Sequence, residues 1–358
     1  MIIGIDAKRA YLNKSGLGNY SRDVISSLLN FDKINIQLFT TDLNNEIFNV
    51  PRNIKVHTPK IKLLKNYWRT FGLKKIINKE KIDIFHGLSN EIPVGINKNV
   101  KCIVTIHDVI YKKHPTFYNK LDKFIYSNKT KYACKKAKKI ISVSNQTKKD
   151  LINYFNIEPT KIEVIYQSCH KAFKSELKDK NILKKYQLPD NYILYVGTIE
   201  RRKNLKFLLK SIKENPNFNL VCIGKKKSYY KEVLNFISVN KIKNNITFLE
   251  INSVNDLSDI YKKAKCLVYP SIYEGFGIPI IEGLYSQIPV ITIDKPIFRE
   301  AGGDHCFYVN NYEELTKILI KIYNEKHERN PAAKKWAEKF NNIKQANQIV
   351  NIYQELLK

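Results

Sequence analysis

Acidic residues are in short supply: 33 Asp and Glu stand against 62 Lys and Arg, a net charge of +29 over 358 residues. A field of that sign draws nucleic acid, anionic lipid headgroups or phosphorylated substrates. The excess alone selects none of them, since AT-rich coding also yields chains rich in Lys, Asn and Ile. Glycine (13), proline (12) and methionine (1) are sparse, while 43% of residues are hydrophobic, with 22 Tyr and 17 Phe. This excludes a low-complexity or disordered chain and supplies large cores. The six cysteines (Cys102, Cys134, Cys169, Cys222, Cys266 and Cys306) never fall in CxxC spacing. Several lie in apolar runs, such as Leu220-Val221-Cys222-Ile223, where a thiol serves as a small core hydrophobe in a reducing compartment. No apolar run approaches bilayer length, and Met1-Ile2-Ile3-Gly4-Ile5-Asp6 turns polar too soon for a signal peptide. The expected location is cytoplasmic, or peripheral on the cytosolic face of a membrane.

What is present is a regular alternation. Short β-branched runs alternate with longer helical patterns from end to end, as in βαβ units with parallel sheets. Strands are expected at Ile2–Asp6, Ile34–Thr40, Ile82–His86, Cys102–His107, Lys139–Val143 and Ile162–Tyr166. A second series is expected at Tyr192–Val196, Leu220–Ile223, Ile246–Leu249, Cys266–Tyr269, Val290–Thr292 and Phe307–Val309. Helices are expected at Gly18–Asn30 and Thr147–Phe155. The chain is long for one α/β core and suits two. The boundaries read as a first Rossmann-like domain over 1–170, a polar, Lys-rich linker over 171–190, and a second domain over 191–340. A last helix over 341–358, with Ile343, Ala346, Ile349, Val350 and Tyr353 at helical spacing, is expected to pack back toward the first domain. The fold class is α/β, two Rossmann-like parallel-sheet domains. Open parallel sheets bind ligands at the carboxyl ends of their strands, so two sheets facing by those ends would put the site in a cleft.

The window Tyr269-Pro270-Ser271-Ile272-Tyr273-Glu274-Gly275-Phe276-Gly277-Ile278-Pro279-Ile280-Ile281-Glu282 stands out. It reads as a strand end, a glycine-flanked loop and a helix start, where backbone N–H groups favour anionic oxygens. Glu274 at the loop mouth and Glu282 about two turns into the helix could each accept hydrogen bonds from paired hydroxyls. Spacing alone equally allows a plain turn with two solvated glutamates.

Glu274 to Glu282 resembles the E-x7-E motif of glycosyltransferase family 4, retaining enzymes of GT-B fold. Other segments resemble the family in order: Ser15-Gly16-Leu17-Gly18-Asn19-Tyr20 its glycine loop, Thr105-Ile106-His107-Asp108 its His-Asp turn, and Tyr195 to Asn204 the strand-loop opening its second domain. Ile288-Pro289-Val290-Ile291 and Arg299-Glu300-Ala301-Gly302-Gly303 resemble the segments after its E-x7-E helix. The resemblance implies that Glu274 holds donor-sugar hydroxyls and Glu282 the ribose hydroxyls. It implies that amides around Gly275, Phe276 and Gly277 line the sugar and diphosphate. Arg202 and Lys203 match the basic pair that neutralises the departing diphosphate, where charge builds as the glycosidic bond breaks. Gly16 and Gly18 open a helix that phosphate or acceptor would approach, and His107 would orient sugar or acceptor. Ser253 and Val254 fall in the segment that meets the base. His86 is a second, similar histidine.

Several positions depart from the pattern. Thr198 stands where many members carry arginine, Tyr166-Gln167-Ser168-Cys169-His170 replaces an Asn-Gly-Val run, and Tyr285-Ser286-Gln287 replaces Ala-Cys-Gly. The donor, GDP- or UDP-linked, and the acceptor, a saccharide or lipid-linked saccharide, stay open on these grounds. No Asp-x-Asp occurs, so no metal is expected and the cations would take its place; no further cofactor is implied. Residues 60–79 contain no acid and alternate Lys and Arg with Leu, Trp, Phe and Ile, and a second basic run spans Lys129–Lys139. Both suit an anionic membrane surface, or are merely solvated basic helices. Two other readings stay open, a non-catalytic sugar-nucleotide-binding relative and, more distantly, a nucleic-acid binder, for which no motif is present.

Overall fold

The computed structural model describes residues 1–325 and 329–358, apart from the side chain of Lys62. The chain forms two compact units, Met1–Ser168 with Asn341–Lys358, and Cys169–Phe340.

The first unit is built on a seven-stranded parallel sheet of order β3-β2-β1-β4-β5-β6-β7. Its strands are β1 (Ile2–Asp6), β2 (Asn35–Phe39), β3 (Lys55–His57), β4 (Ile84–Gly87), β5 (Lys101–Ile106), β6 (Lys139–Ser142) and β7 (Ile162–Val164). The β-branched runs form the buried strands because a sheet covered on both faces has no solvent side for polar alternation. Helix Gly16–Leu28 buries Tyr20, Val24, Ile25 and Leu28 against one face, while Phe85, Val104 and Ile106 fill the other. The last helix, Asn342–Leu357, belongs to this unit: Ile349, Val350 and Tyr353 are buried in the first core. β3 was not expected from the sequence. Its three residues, Lys-Val-His, sit at the sheet edge and carry no apolar run.

The second unit holds a six-stranded parallel sheet of order β10-β9-β8-β11-β12-β13. Its strands are β8 (Ile193–Val196), β9 (Leu220–Ile223), β10 (Ile246–Leu249), β11 (Cys266–Tyr269), β12 (Val290–Ile293) and β13 (Phe307–Val309). Every expected strand is present, with ends displaced by at most two residues. The 171–190 stretch packs within this unit. The Asp259 carboxylate accepts the backbone N–H of Lys178 (3.1 Å) and of Asp179 (2.9 Å), and Phe173 meets Tyr261 edge to face.

Each sheet changes direction once. In the first, the chain runs outward from β1 through β2 to β3, then resumes on the other side at β4; in the second the reversal lies between β8 and β11. Beyond the carboxyl ends of such paired strands the flanking loops part, which leaves a crevice for ligand.

Candidate active site

The loops leaving β8 and β11 meet at the second unit's reversal point. Residues 197–204 follow β8 and close in a short turn, Arg201–Lys203, with Asn204 left-handed (φ 56°) to start helix Leu205–Glu214. Residues 270–277 follow β11 and end at Gly277, whose φ of 122° is open to glycine. Helix Ile278–Tyr285 begins there with Pro279 in its first turn. Two hydrogen bonds lace the loops: the backbone N–H of Ile272 donates to the Arg202 carbonyl (2.8 Å), and the Arg202 side chain donates from Nη1 to the Tyr273 carbonyl (2.9 Å).

Glu274 lies between two cations. Its Oε2 is 2.6 Å from Arg202 Nη1 and its Oε1 is 2.6 Å from Lys203 Nζ. Ser271 Oγ also donates to Oε1, at 2.5 Å. All three charged side chains are largely buried, so their fields are weakly screened. Burial pushes the Glu274 carboxyl up, but Arg202 and Lys203 outweigh it and bring its pKa down to about 2. Glu274 is therefore a fixed anion that accepts hydrogen bonds only. Burial lowers the Lys203 pKa although Glu274 opposes it, and Nζ donates to the Tyr269 hydroxyl (2.9 Å). Arg202 is also held by Glu200 (2.8 Å).

Glu282 behaves differently. It is buried within helix Ile278–Tyr285, and its Oε2 accepts from the Tyr261 hydroxyl at 2.8 Å. Burial raises its pKa to about 7, against the opposing pull of Tyr261 and Lys203. Neither glutamate of the motif is a solvated surface group. Phe276 is buried and packs edge to face on Phe340 (5.3 Å), which steadies the loop at Gly275–Gly277 from behind.

The remaining expected residues are placed elsewhere. Ser253 caps helix Val254–Lys263 by accepting the Asp256 N–H (3.2 Å), so Ser253 and Val254 stand after β10, two strands from β8. In the first unit, a Cβ on Gly18 would stand 1.7 Å from the Asn13 carbonyl oxygen, so that glycine is required by backbone packing, whereas Gly16 has open space around it. His107 is buried after β5. Its Nε2 donates to the Leu88 carbonyl (2.9 Å), Tyr20 stacks edge-on at 4.6 Å, and burial lowers its pKa to about 4. It is thus a neutral imidazole with one nitrogen committed to the backbone. His86 is a structural bridge, with Nδ1 on Tyr353 (2.7 Å) and Nε2 on Thr105 (2.9 Å).

Sequence reading gave no role to the partners Ser271, Tyr269 and Glu200, although they lie inside the windows it singled out, and Tyr261 lies outside every such window; only folding brings them to Glu274, Lys203, Arg202 and Glu282. Among the described residues, no three His, Cys, Asp or Glu side chains group as metal ligands.

Two parallel-sheet domains, the second with a carboxylate held between two cations at its reversal point, define a two-domain Rossmann-class protein. The comparisons then name the family. The model of group 1 glycosyl transferases matches residues 178–340, and that of glycosyltransferase family 4 matches residues 14–168. The chain is 30% identical over 286 residues to the O-antigen chain mannosyltransferase RfbU of Salmonella typhimurium, covering 79% of this chain and 75% of that protein. It is 29% identical over 231 residues to O-antigen chain mannosyltransferase B of Escherichia coli, covering 62% and 59%. A crystal structure of Anabaena HepE with UDP and glucose shares the fold at a TM-score of 0.75 and 14% identity, over 99% of both chains. The chain belongs to glycosyltransferase family 4, the group 1 glycosyltransferases, and its two Rossmann-like domains are those of the GT-B fold.

Proposed function

We propose that this glycosyltransferase moves a hexose-type sugar from a GDP- or UDP-linked donor to a saccharide or lipid-linked saccharide, with retention at the anomeric carbon. The single observation that carries the donor site is Glu274 fixed between Arg202 and Lys203 at the carboxyl ends of β8 and β11. A diphosphate leaving group gains negative charge as the anomeric C–O bond breaks, and two preset cations in a poorly screened site stabilise that charge without reorganising. They supply what a metal would otherwise give, which supports metal-independent transfer. Glu274 and Glu282 serve as hydroxyl acceptors for sugar and ribose. The acceptor oxygen forms the new bond to the anomeric carbon on the face the diphosphate leaves, and its proton passes to a diphosphate oxygen. Glu274 is not assigned as a nucleophile, because both its oxygens are held by Arg202, Lys203 and Ser271.

The relatives named O-antigen chain mannosyltransferases support a place in surface polysaccharide or lipopolysaccharide synthesis. A peripheral station on anionic membrane draws support from Leu63, Tyr67 and Phe71, exposed among the lysines of 60–79. Among the described residues no helix is long and apolar enough to cross a membrane.

The test is a thermal-shift and hydrolysis screen against UDP- and GDP-sugars with EDTA present. One nucleotide-sugar should stabilise the protein and be slowly hydrolysed, with both effects lost in Glu282→Ala. Silence across the panel would remove the catalytic reading in favour of a non-catalytic relative.

A further inference from the structure

The first unit buries a connected run of polar side chains in its core. Thr105, on β5, and His107, just after it, are two residues apart and so share one face of the sheet. His86, on the neighbouring β4, places its Nε2 2.9 Å from Thr105 Oγ1. The same Thr105 oxygen is 3.2 Å from the Tyr20 hydroxyl. The other His86 nitrogen, Nδ1, is 2.7 Å from the hydroxyl of Tyr353, which comes from the last helix, 267 residues further along the chain. None of these four side chains is more than 4% exposed. Burial lowers the His86 pKa to about 3. The imidazole is therefore neutral, with one nitrogen donating and the other accepting.

Stability does not require such a chain, because apolar groups of the same shape can replace both partners of a buried hydrogen bond at little cost. The surroundings are apolar already: Ile103, Ile141, Ile349 and Val350 belong to the same core. A fully bonded polar network adds fixed geometry. What it fixes here is Tyr20, whose ring stands against the His107 ring with centroids 4.6 Å apart and planes at 89°. His107 has three other anchors. Its backbone N–H donates to Asn90 Oδ1 (2.9 Å), its carbonyl accepts from Thr147 Oγ1 (3.2 Å), and its Nε2 donates to the Leu88 carbonyl (2.9 Å). Nε2 lies across the ring from the Cβ–Cγ bond, so these anchors leave the ring able to rock about that axis. The Tyr20 ring blocks the rocking. With Nε2 as donor, Nδ1 carries the lone pair, and rocking would sweep that lone pair through an arc.

We infer that Tyr353 is a positioning residue for His107: through His86, Thr105 and Tyr20, the C-terminal helix sets the direction in which His107 Nδ1 accepts a hydroxyl hydrogen. The inference rests on the transferase reading above, with His107 meeting a hydroxyl of the donor sugar; the mechanical link from Tyr353 to the His107 ring does not. A residue six from the end of the chain, outside every motif, thereby acts on the loop that follows β5.

The test uses the full chain with Tyr353→Phe and Thr105→Val, each of which deletes one hydroxyl of the chain and keeps the shape. The control is Tyr192→Phe, which deletes a buried hydroxyl bonded to the Ile260 carbonyl (2.6 Å) in the second unit. Histidine ring ¹⁵N–¹H spectra, with His107 assigned from His107→Gln, read the ring. Hydrolysis of UDP-glucose, UDP-galactose, UDP-N-acetylglucosamine and GDP-mannose reads the reaction. Both chain variants should shift or split the His107 ring resonances. Both should also lower kcat for the hydrolysed donor about 10–10²-fold, as a misplacement of about 1 Å does, with KM within about twofold. Tyr192→Phe should do neither. His107 resonances unchanged in both chain variants overturn the positioning, and so does an equal kcat loss in Tyr192→Phe. Shifted resonances with unchanged kcat take His107 out of the reaction and overturn the role given to Tyr353. A parent protein silent toward all these donors removes the transferase reading instead, and the resonances alone then decide whether Tyr353 sets the ring.

Discussion

The two reversal points hold groups of opposite charge at their centres. In the second unit a carboxylate, Glu274, sits between two cations; in the first a cation, Arg69, sits between the carboxylates of Asp6 and Glu91. Both clusters lie beyond the carboxyl ends of parallel strands, where the backbone geometry of the two sheets is alike. With Glu200 on Arg202 and Lys129 on Glu91, each cluster pairs two cations with two carboxylates, and what differs is which charge sits at the centre. A net charge of +29 says nothing about that choice.

Removing the central group of each cluster breaks the comparison most severely. Arg69→Met leaves the buried Asp6 carboxylate without its cation, and Glu274→Gln leaves the buried Lys203 without its carboxylate. Each should cost about 3–5 kcal/mol, the usual loss when one partner of a buried ion pair is removed. Urea denaturation at neutral pH measures both, and a loss below about 1 kcal/mol in either would show that cluster to be solvated.

Activity should separate the clusters next. Lys203→Ala is expected to lower the rate of donor hydrolysis about 10²–10³-fold, the range seen when one preset electrostatic contact to developing charge is deleted. Val94→Trp, in the wall of a cavity beside Arg69, should leave that hydrolysis nearly unchanged. Equal effects of the two substitutions in a donor-only assay would erase the functional distinction between the clusters.

The pH dependence sharpens the contrast within the motif itself. Glu274 has its pKa lowered to about 2, so its contribution to stability is present above the ordinary value of 4.5 and is lost as pH falls toward 2. Glu282 has its pKa raised to about 7, so its contribution is full below 4.5 and is lost as pH rises through 7. Glu282→Gln should therefore gain stability relative to the parent between pH 5 and pH 8, by on the order of 2 kcal/mol. Denaturation midpoints at the two pH values check this, and a constant difference would place Glu282 in contact with solvent.

The smallest effect concerns the two glycines of the first loop. Gly16→Ala has open space and should change stability by only a few tenths of a kcal/mol. Gly18→Ala drives a methyl into the Asn13 carbonyl and should cost at least 1 kcal/mol. Thermal melts of the pair are sufficient, and equal melting temperatures would contradict the packing assigned to Gly18.

The sequence by itself determined every strand but β3, the parallel α/β class and the loop that carries Glu274 and Glu282. Each is a local property: β-branched runs of four or five residues, glycines where the backbone turns, a proline opening a helix. Only the tertiary structure decided which of 62 Lys and Arg residues meet which of 33 acids. Arg69 lies in a stretch without a single acid, and its partners Asp6 and Glu91 are 63 and 22 residues away. Lys203 meets Glu274 through the neighbouring positions of β8 and β11. His86 and His107 have similar surroundings in sequence, each ending an apolar strand, yet one bridges Tyr353 and Thr105 while the other bonds Leu88. The physical reason is common to all of these. Local sequence sets backbone conformation and burial, but charge pairing depends on strand order, and strand order is fixed when the sheet assembles.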